Sequence, residues 1–293
     1  MQSARPSSGP SSLANNPVVD SWLRDQLVST LQLRVKLADY PDCPLEVLGQ
    51  LAQDRDWQVR AAVATNKKCP TEVLAILARD QRRDIREVVA ANANCSQETL
   101  AQLAQDHQII VRVRVIDNPC ISVALLEQLA ADKSAIVRMG VAKHPRTPLS
   151  SLSQLALDKD GEVRQSVADN ECCPAQLLAQ LAADSRTEVR KSVASNENCP
   201  PEILEQLAKD PEYRVRWCVA KNASVPPTAL AEFAHGDSIE FVHHAAKHPD
   251  CPPDILLQLV SHDNYLVRTE ALSVIMQRPD IPDHVRATVA LSH

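Results

Sequence analysis

Apolar residues return at a fixed interval of 26 positions from Cys43 almost to the end of the chain. The string CPLEVLGQLAQDRDWQVRAAVATNKK begins at Cys43, and counterparts begin at Cys69, Cys95, Ile121, Thr147, Cys173, Cys199, Val225 and Cys251. In the first half of each copy, Leu48, Leu51 and Ala52 stand at the i, i+3, i+4 spacing of one helix face. The Leu48 column is Leu in all nine copies, which marks it as core. In the second half, Val59, Ala62 and Val63 form another apolar stripe. The pattern predicts two short helices per copy.

The boundaries of these helices are also marked. A Pro follows the first position in most copies (Pro44, Pro70, Pro148, Pro174, Pro200, Pro226, Pro252), where a fixed φ and a missing N–H suit the first turn of a helix. Glu46, Glu72, Glu98 and Glu202 come next, favourable near the positive end of the helix dipole. The second helix is expected to stop at Asn66, Asn92, Asn118, Asn170, Asn196 and Asn222, because Asn tolerates the left-handed conformation.

Helices of roughly ten residues are marginal alone and must be held by stacking on their neighbours. Self-similarity at such a period is the mark of a solenoid. The expectation is therefore an all-α solenoid of nine two-helix repeats over 43–280, forming one continuous domain. Residues 17–42 would be an N-terminal cap and degenerate repeat, 281–293 a C-terminal cap, and the Ser-, Pro- and Asn-rich residues 1–16 a disordered tail.

Composition narrows the function. With 5 Gly and 3% aromatic residues, helices are favoured over a β-sandwich or propeller. The formal net charge of −6 counts against a chain whose main task is neutralising phosphates, so nucleic acid is an unfavoured partner. No apolar run approaches the roughly 18 residues that span a bilayer, and the N-terminus lacks an apolar secretory core. A cytoplasmic location and no membrane partner are expected.

The string V-R-x-x-V-A-x-N-x-x-C/T-P-x-x-x-L-x-x-L-A-x-D is carried by Val189, Arg190, Val193, Ala194, Asn196, Cys199, Pro200, Leu204, Leu207, Ala208 and Asp210. It resembles the leucine-rich repeat variant family over about 250 residues. That resemblance implies a HEAT-like layout in a right-handed superhelix, and it allows the first helices to be 3₁₀ in part. The family's N-terminal cysteine cluster, which binds an iron–sulfur centre, is not carried over, because no Cys precedes Cys43. No cofactor and no metal are expected.

Each candidate for chemistry has a structural explanation. Cys43, Cys69, Cys95, Cys173, Cys199 and Cys251 share a column with Ile121, Thr147 and Val225, as buried hydrophobes would. Arg34, Arg60, Arg86, Arg112, Arg138, Arg164, Arg190, Arg216 and Arg268 form a ladder broken at Val242. The column Asp54, Asp80, Asp106, Asp132, Asp158, Asp184 and Asp210, broken at Gly236, offers each repeat a carboxylate partner. His244 and His248 are four apart on one helix but lack the acidic neighbours of a zinc helix. Gln50, Gln102, Gln128, Gln154, Gln180, Gln206 and Gln258 mark a face opposite the leucines.

The informative positions are those the repeat leaves free. On the second helices, columns equivalent to 57, 58, 61 and 65 vary, and varied columns on a constant frame are where a repeat protein contacts partners. They supply Trp57, an apolar set of Ile109, Ile110, Val113, Ile136 and Met139, and an aromatic and basic set of Tyr213, Arg214, Trp217, Lys221, His243, Lys247 and Tyr265, with Leu266 beside it. The Trp217 column accepts Ala61, Glu87 and Lys191, which argues that packing does not require Trp there. The expectation is a non-catalytic scaffold binding a protein or peptide through this face. A HEAT-like nucleic-acid module and a lyase-like or chaperone protein are the alternatives, and the sequence leaves the oligomeric state open.

Overall fold

A computed structural model of the chain describes residues 30–236 and 238–292. The tail expected at 1–16 and the first part of the segment 17–42 lie outside the described residues. Among those described there are twenty α-helices and no strand. They fall into two compact units that divide at Leu125 and Leu126. The first holds Leu31–Asp39, then the pairs Leu45–Leu51 with Trp57–Thr65, Thr71–Leu77 with Arg83–Ala91, and Gln97–Leu103 with Ile109–Ile116. The second continues the alternation from Ala135–Lys143 to Pro253–Leu259 and Tyr265–Gln277, and closes with Asp283–Ser292. Each unit is an α-solenoid of stacked two-helix repeats, as the 26-residue pattern predicts.

The stripes read from the sequence are the core. Leu48, Leu74, Leu100, Val59, Val63 and Val89 in the first unit, and Leu178, Leu204, Val189 and Val193 in the second, are fully buried. Each such side chain contributes about 1.5–3 kcal/mol by leaving water. Second helices of successive repeats pack against each other more closely than first helices do. Every described helix is α, so the 3₁₀ allowance is not used by the first helices themselves. It survives at their ends, where Gln53 and Asp54 N–H groups bond the Gln50 and Leu51 carbonyls at 3.1 Å.

Two boundary expectations are corrected. The prolines sit one residue ahead of the helix, as at Pro44 with φ −58° and ψ 139°. Their fixed φ suits an extended N-cap whose carbonyl receives the Leu48 N–H at 3.0 Å. The terminal asparagines are not left-handed, and no non-glycine residue described has positive φ. Asn66 is extended, with φ −64° and ψ 123°. Its side chain does the work instead: Oδ1 accepts the Lys68 N–H at 2.8 Å, and Nδ2 donates to the Ala38 and Tyr40 carbonyls of the preceding repeat at 2.7 and 3.0 Å. The same bonds recur at Asn92, Asn118, Asn170, Asn196 and Asn222.

The arginine and aspartate columns pair as expected, always toward the next repeat. Arg34–Asp54, Arg60–Asp80 and Arg86–Asp106 in the first unit close at 2.7, 2.5 and 2.5 Å. Arg138–Asp158, Arg164–Asp184 and Arg190–Asp210 in the second close at 2.6, 2.6 and 2.7 Å. The fork is bidentate, and Nη1 turns back to a carbonyl six residues earlier, as from Arg138 to Asp132 at 2.8 Å. Each aspartate also accepts the N–H two residues on, as Asp158 does from Asp160 at 2.8 Å. Burial alone would raise the carboxyls of Asp80, Asp106, Asp158 and Asp210, but the arginine bond, that N–H and the arginine charge hold them below the ordinary value. At Asp184 the Arg164 bond is the leading influence, and the direction is the same.

A carboxyl held low in the folded state lends stability above its unfolded pKa of about 3.9 and loses it as pH falls through the folded value. Melting temperature should therefore drop below about pH 4. Arg138→Ala, which strands Asp158, should cost about 3–5 kcal/mol at neutral pH and blunt this acid step. Arg268→Ala, whose guanidinium holds the His262 and Asp263 carbonyls and meets no carboxylate among the described residues, should cost less. Denaturant melts of both variants across pH check this, and equal losses would contradict the assigned pairing.

Candidate functional site

In the second unit, three successive second helices, Tyr213–Lys221, Ile239–Lys247 and Tyr265–Gln277, carry four of the chain's eight Phe, Trp and Tyr rings. Val215, Val219, Val242, Ala245, Val267 and Ala271 anchor these helices inward, which turns the remaining columns outward. Tyr213 and Trp217, one helical turn apart, stack with centroids 6.2 Å apart. Phe241 from the next repeat meets Trp217 edge-on at 5.7 Å, Tyr213 at 5.1 Å and Phe233 face-to-face at 5.0 Å. His244 meets the Trp217 ring edge-on at 5.3 Å, and the Lys221 ammonium lies 5.0 Å above it. The Tyr213 hydroxyl donates to Glu240 at 2.7 Å, which raises the phenol's pKa.

The expected contact residues are placed as follows. Trp57 is exposed and stacks under Arg82, 4.2 Å from the ring centroid. Ile109 and Ile110 are exposed and Val113 half-buried in the first unit, while in the second Ile136 is exposed and Met139 half-buried. Tyr213, Arg214, Lys221, Lys247, Tyr265 and Leu266 are exposed, with Tyr265 at 67% and Leu266 at 59% the most open of the aromatic and apolar members. His243 is half-buried, 3.8 Å from the Glu270 carboxylate. Trp217 is also half-buried, because its ring fills the gap to Phe241 and His244. Packing therefore does use this Trp, contrary to what its tolerant column suggests. The sequence signal was available: Phe233 and Phe241 depart from the repeat in the same neighbourhood.

The family model "Leucine rich repeat variant" matches residues 187–212. A solved structure described as a leucine-rich repeat variant with a novel repetitive structural motif is similar at TM-score 0.61 and 26% identity, over 80% of this chain and 97% of that one. The chain is thus a helical repeat protein similar to the leucine-rich repeat variant proteins. Weaker likeness extends to the YibA protein of Escherichia coli, at TM-score 0.40, 18% identity and 84% and 96% coverage. A HEAT-like repeats protein from Thermococcus onnurineus follows at TM-score 0.21 and 15% identity, covering 94% of this chain and 99% of that one. Among curated proteins none matches.

The cysteines of this repeat protein do not fit an iron–sulfur centre. The six in the repeat column are buried, and burial lifts the thiols of Cys69, Cys95, Cys199 and Cys251 to about 12 and that of Cys173 to about 11. No group of three or more His, Cys, Asp or Glu among the described residues converges as a metal site would require. Ile121 and Val225 fill the same buried space. Cys199→Val should accordingly fold with stability within about 1.5 kcal/mol of the parent, as volume-similar core exchanges do. Stoichiometric iron or zinc that disappears with Cys199 in metal analysis would contradict the packing role.

His244 Nδ1 is buried without a hydrogen-bond partner among the described residues. Burial holds His244 below the ordinary imidazole value, and the nearby His248, Lys221 and His243 push in the same direction. A histidine held low is accommodated neutral, so its contribution is complete above its unfolded pKa of about 6.5 and declines as pH falls below that. The helix-repeat melt should thus weaken between neutral pH and pH 5.5, well before the aspartate step, and His244→Phe should shrink this loss. Trp217→Ala should cost about 1–2 kcal/mol through its lost ring contacts. An unchanged melting temperature for Trp217→Ala would show that its ring does not join the repeats.

Proposed function

We propose that this repeat protein is a non-catalytic scaffold that binds a protein or peptide through the outward columns of its second helices. The supporting observation is the exposure of Tyr265 and Leu266 beside Tyr213, Arg214 and Lys247 on three successive second helices of the second unit. Each helix is pinned from behind by fully buried valines or alanines, so the surface is presented on a rigid frame. Rigid aromatic side chains with cations at the edge are the residues that most often anchor an interface. Trp217 serves as the platform under Tyr213 and Lys221. No described helix is long and apolar enough to cross a membrane.

The test is affinity capture from the native host with the full chain and with a Tyr265→Ala, Leu266→Ala variant. Both side chains are exposed, so the variant should melt within about 0.5 kcal/mol of the parent, as surface changes do. It should weaken a captured protein by about 2 kcal/mol or more. Undiminished capture would remove this face from the interface. Retention on DNA that falls steeply with salt and with Lys221 and Lys247 removed would favour the nucleic-acid alternative.

A further inference from the structure

A cavity of about 300 Å³ opens in the second unit where two consecutive second helices, Gly161–Ala168 and Thr187–Ser195, end side by side. Its lining includes Asp169, Glu171, Glu197, Ser192, Ser195 and Asn196. The Asn196 side chain is spent on the repeat bonds already described. None of the three carboxylates is in an ion pair among the described residues, although arginine, lysine and aspartate pair throughout the rest of the unit. The last carbonyls of both helices add the negative end of the helix dipole to the same space.

Ser192 supplies an independent sign. It is 7% exposed and lines this cavity, yet its hydroxyl makes no hydrogen bond among the described residues. The serine one repeat earlier, Ser166, bonds the Glu162 carbonyl at 2.8 Å. The Ser192 hydroxyl is not sealed from solvent, since His244 Nδ1 is the buried side-chain atom without a partner among the described residues, so it opens onto the cavity and is free to bond what enters it.

The same cavity recurs in the first unit with different chemistry. There the lining is Thr65, Lys67, Val88, Ala91, Asn92 and Ala93, so the positions of Glu171, Glu197 and Ser192 are taken by Lys67, Ala93 and Val88. The frame therefore accepts apolar or basic residues at these places, and packing does not demand acids or a serine. No three of the acids converge as a metal site requires, and a spread set of acceptors suits a broad planar cation better than a point charge.

We propose that this inter-repeat cavity binds an arginine side chain of a basic peptide, with Glu171, Glu197 and Asp169 meeting the guanidinium and Ser192 accepting one of its protons. The site goes beyond the aromatic face and does not depend on it. The chain's net charge of −6 would draw such a peptide from a distance.

The test titrates the full chain by calorimetry with a blocked Gly-Gly-Arg-Gly-Gly peptide and its Lys and Glu counterparts. The Arg peptide should bind best, the Glu peptide should give no heat, and added salt should weaken binding. Glu171→Gln with Glu197→Gln should weaken the Arg peptide roughly tenfold or more. Ser192→Val, which copies Val88 and should melt like the parent, should weaken it roughly threefold. Tyr265→Ala with Leu266→Ala should leave it unchanged, so failure of the aromatic interface and failure of this site are separable. Equal binding of the Arg and Glu peptides, a double variant within twofold of the parent, or saturable calcium binding that the Arg peptide does not displace would each overturn the proposal.

Discussion

The asparagine that closes most second helices donates its side-chain amide protons to two backbone carbonyls of the preceding repeat, as Asn92 does to Ala64 and Asn66. The Ala64 carbonyl lies at a helix end, where no intrahelical N–H can reach it, while the Asn66 carbonyl also accepts the Cys69 N–H at 3.0 Å, and the side chain that reaches both is itself buried. Left unpaired, a carbonyl such as that of Ala64 would cost about 1–3 kcal/mol. The Arg–Asp fork adds a second tie running the other way, from one repeat to the next. Each repeat thus carries polar groups that its neighbour alone satisfies, and a solitary repeat is penalised twice: for its bare apolar stripe and for its orphaned carbonyl and carboxylate.

This dependence explains why the period holds so closely. The ties span fixed separations of 20 residues for the ion pairs and 26 and 28 for the amide bonds. One inserted residue would shift all three out of register at once, along with the stacked leucines. Where the asparagine is replaced by His248, the ring nitrogen Nδ1 still accepts the N–H two residues on. His262 does likewise in the aspartate column, accepting from Asn264. Local turn formation therefore survives loss of the inter-repeat tie, and the two roles of the side chain are separable.

The fold was legible in the sequence because its cause is periodic. Leu48 and Val59 recur in columns that only a two-helix repeat can bury together, and the parallel columns of Arg and Asp pointed to the ion-pair ladder. The role of asparagine was not legible, since an Asn that ends a helix in an extended conformation looks in sequence like one that ends it left-handed. The candidate site was visible only as composition. Which columns face outward follows from the period, but Trp217 lies between two repeats, and a column comparison treats each repeat alone. The acidic cavity was missed for a related reason: Glu171, Ser192 and Glu197 sit in different columns and different repeats, and they meet only when the helices stack.

The aromatic cluster and the break in the ladder have one physical explanation. Arg216 would find its aspartate at position 236, but Gly236 stands there, and the guanidinium keeps only the turn back to the Asp210 carbonyl that the paired arginines also make, at 2.7 Å, and lies 5.8 Å from the Phe241 ring. The next rung is lost with Val242. At this junction Phe233, Phe241 and Trp217 bring ring contacts where elsewhere there is a charged fork. Aromatic contacts of about 0.5–1.5 kcal/mol each can offset a lost ion pair, since a half-buried pair repays little beyond its own desolvation. Exchanging a directional tie for stacked rings also frees the outer edge of the helix layer from the geometry of a bidentate fork. The large side chains of Tyr213, Tyr265 and Leu266 can then be carried on the outside of a junction held from within by Phe233 and Phe241.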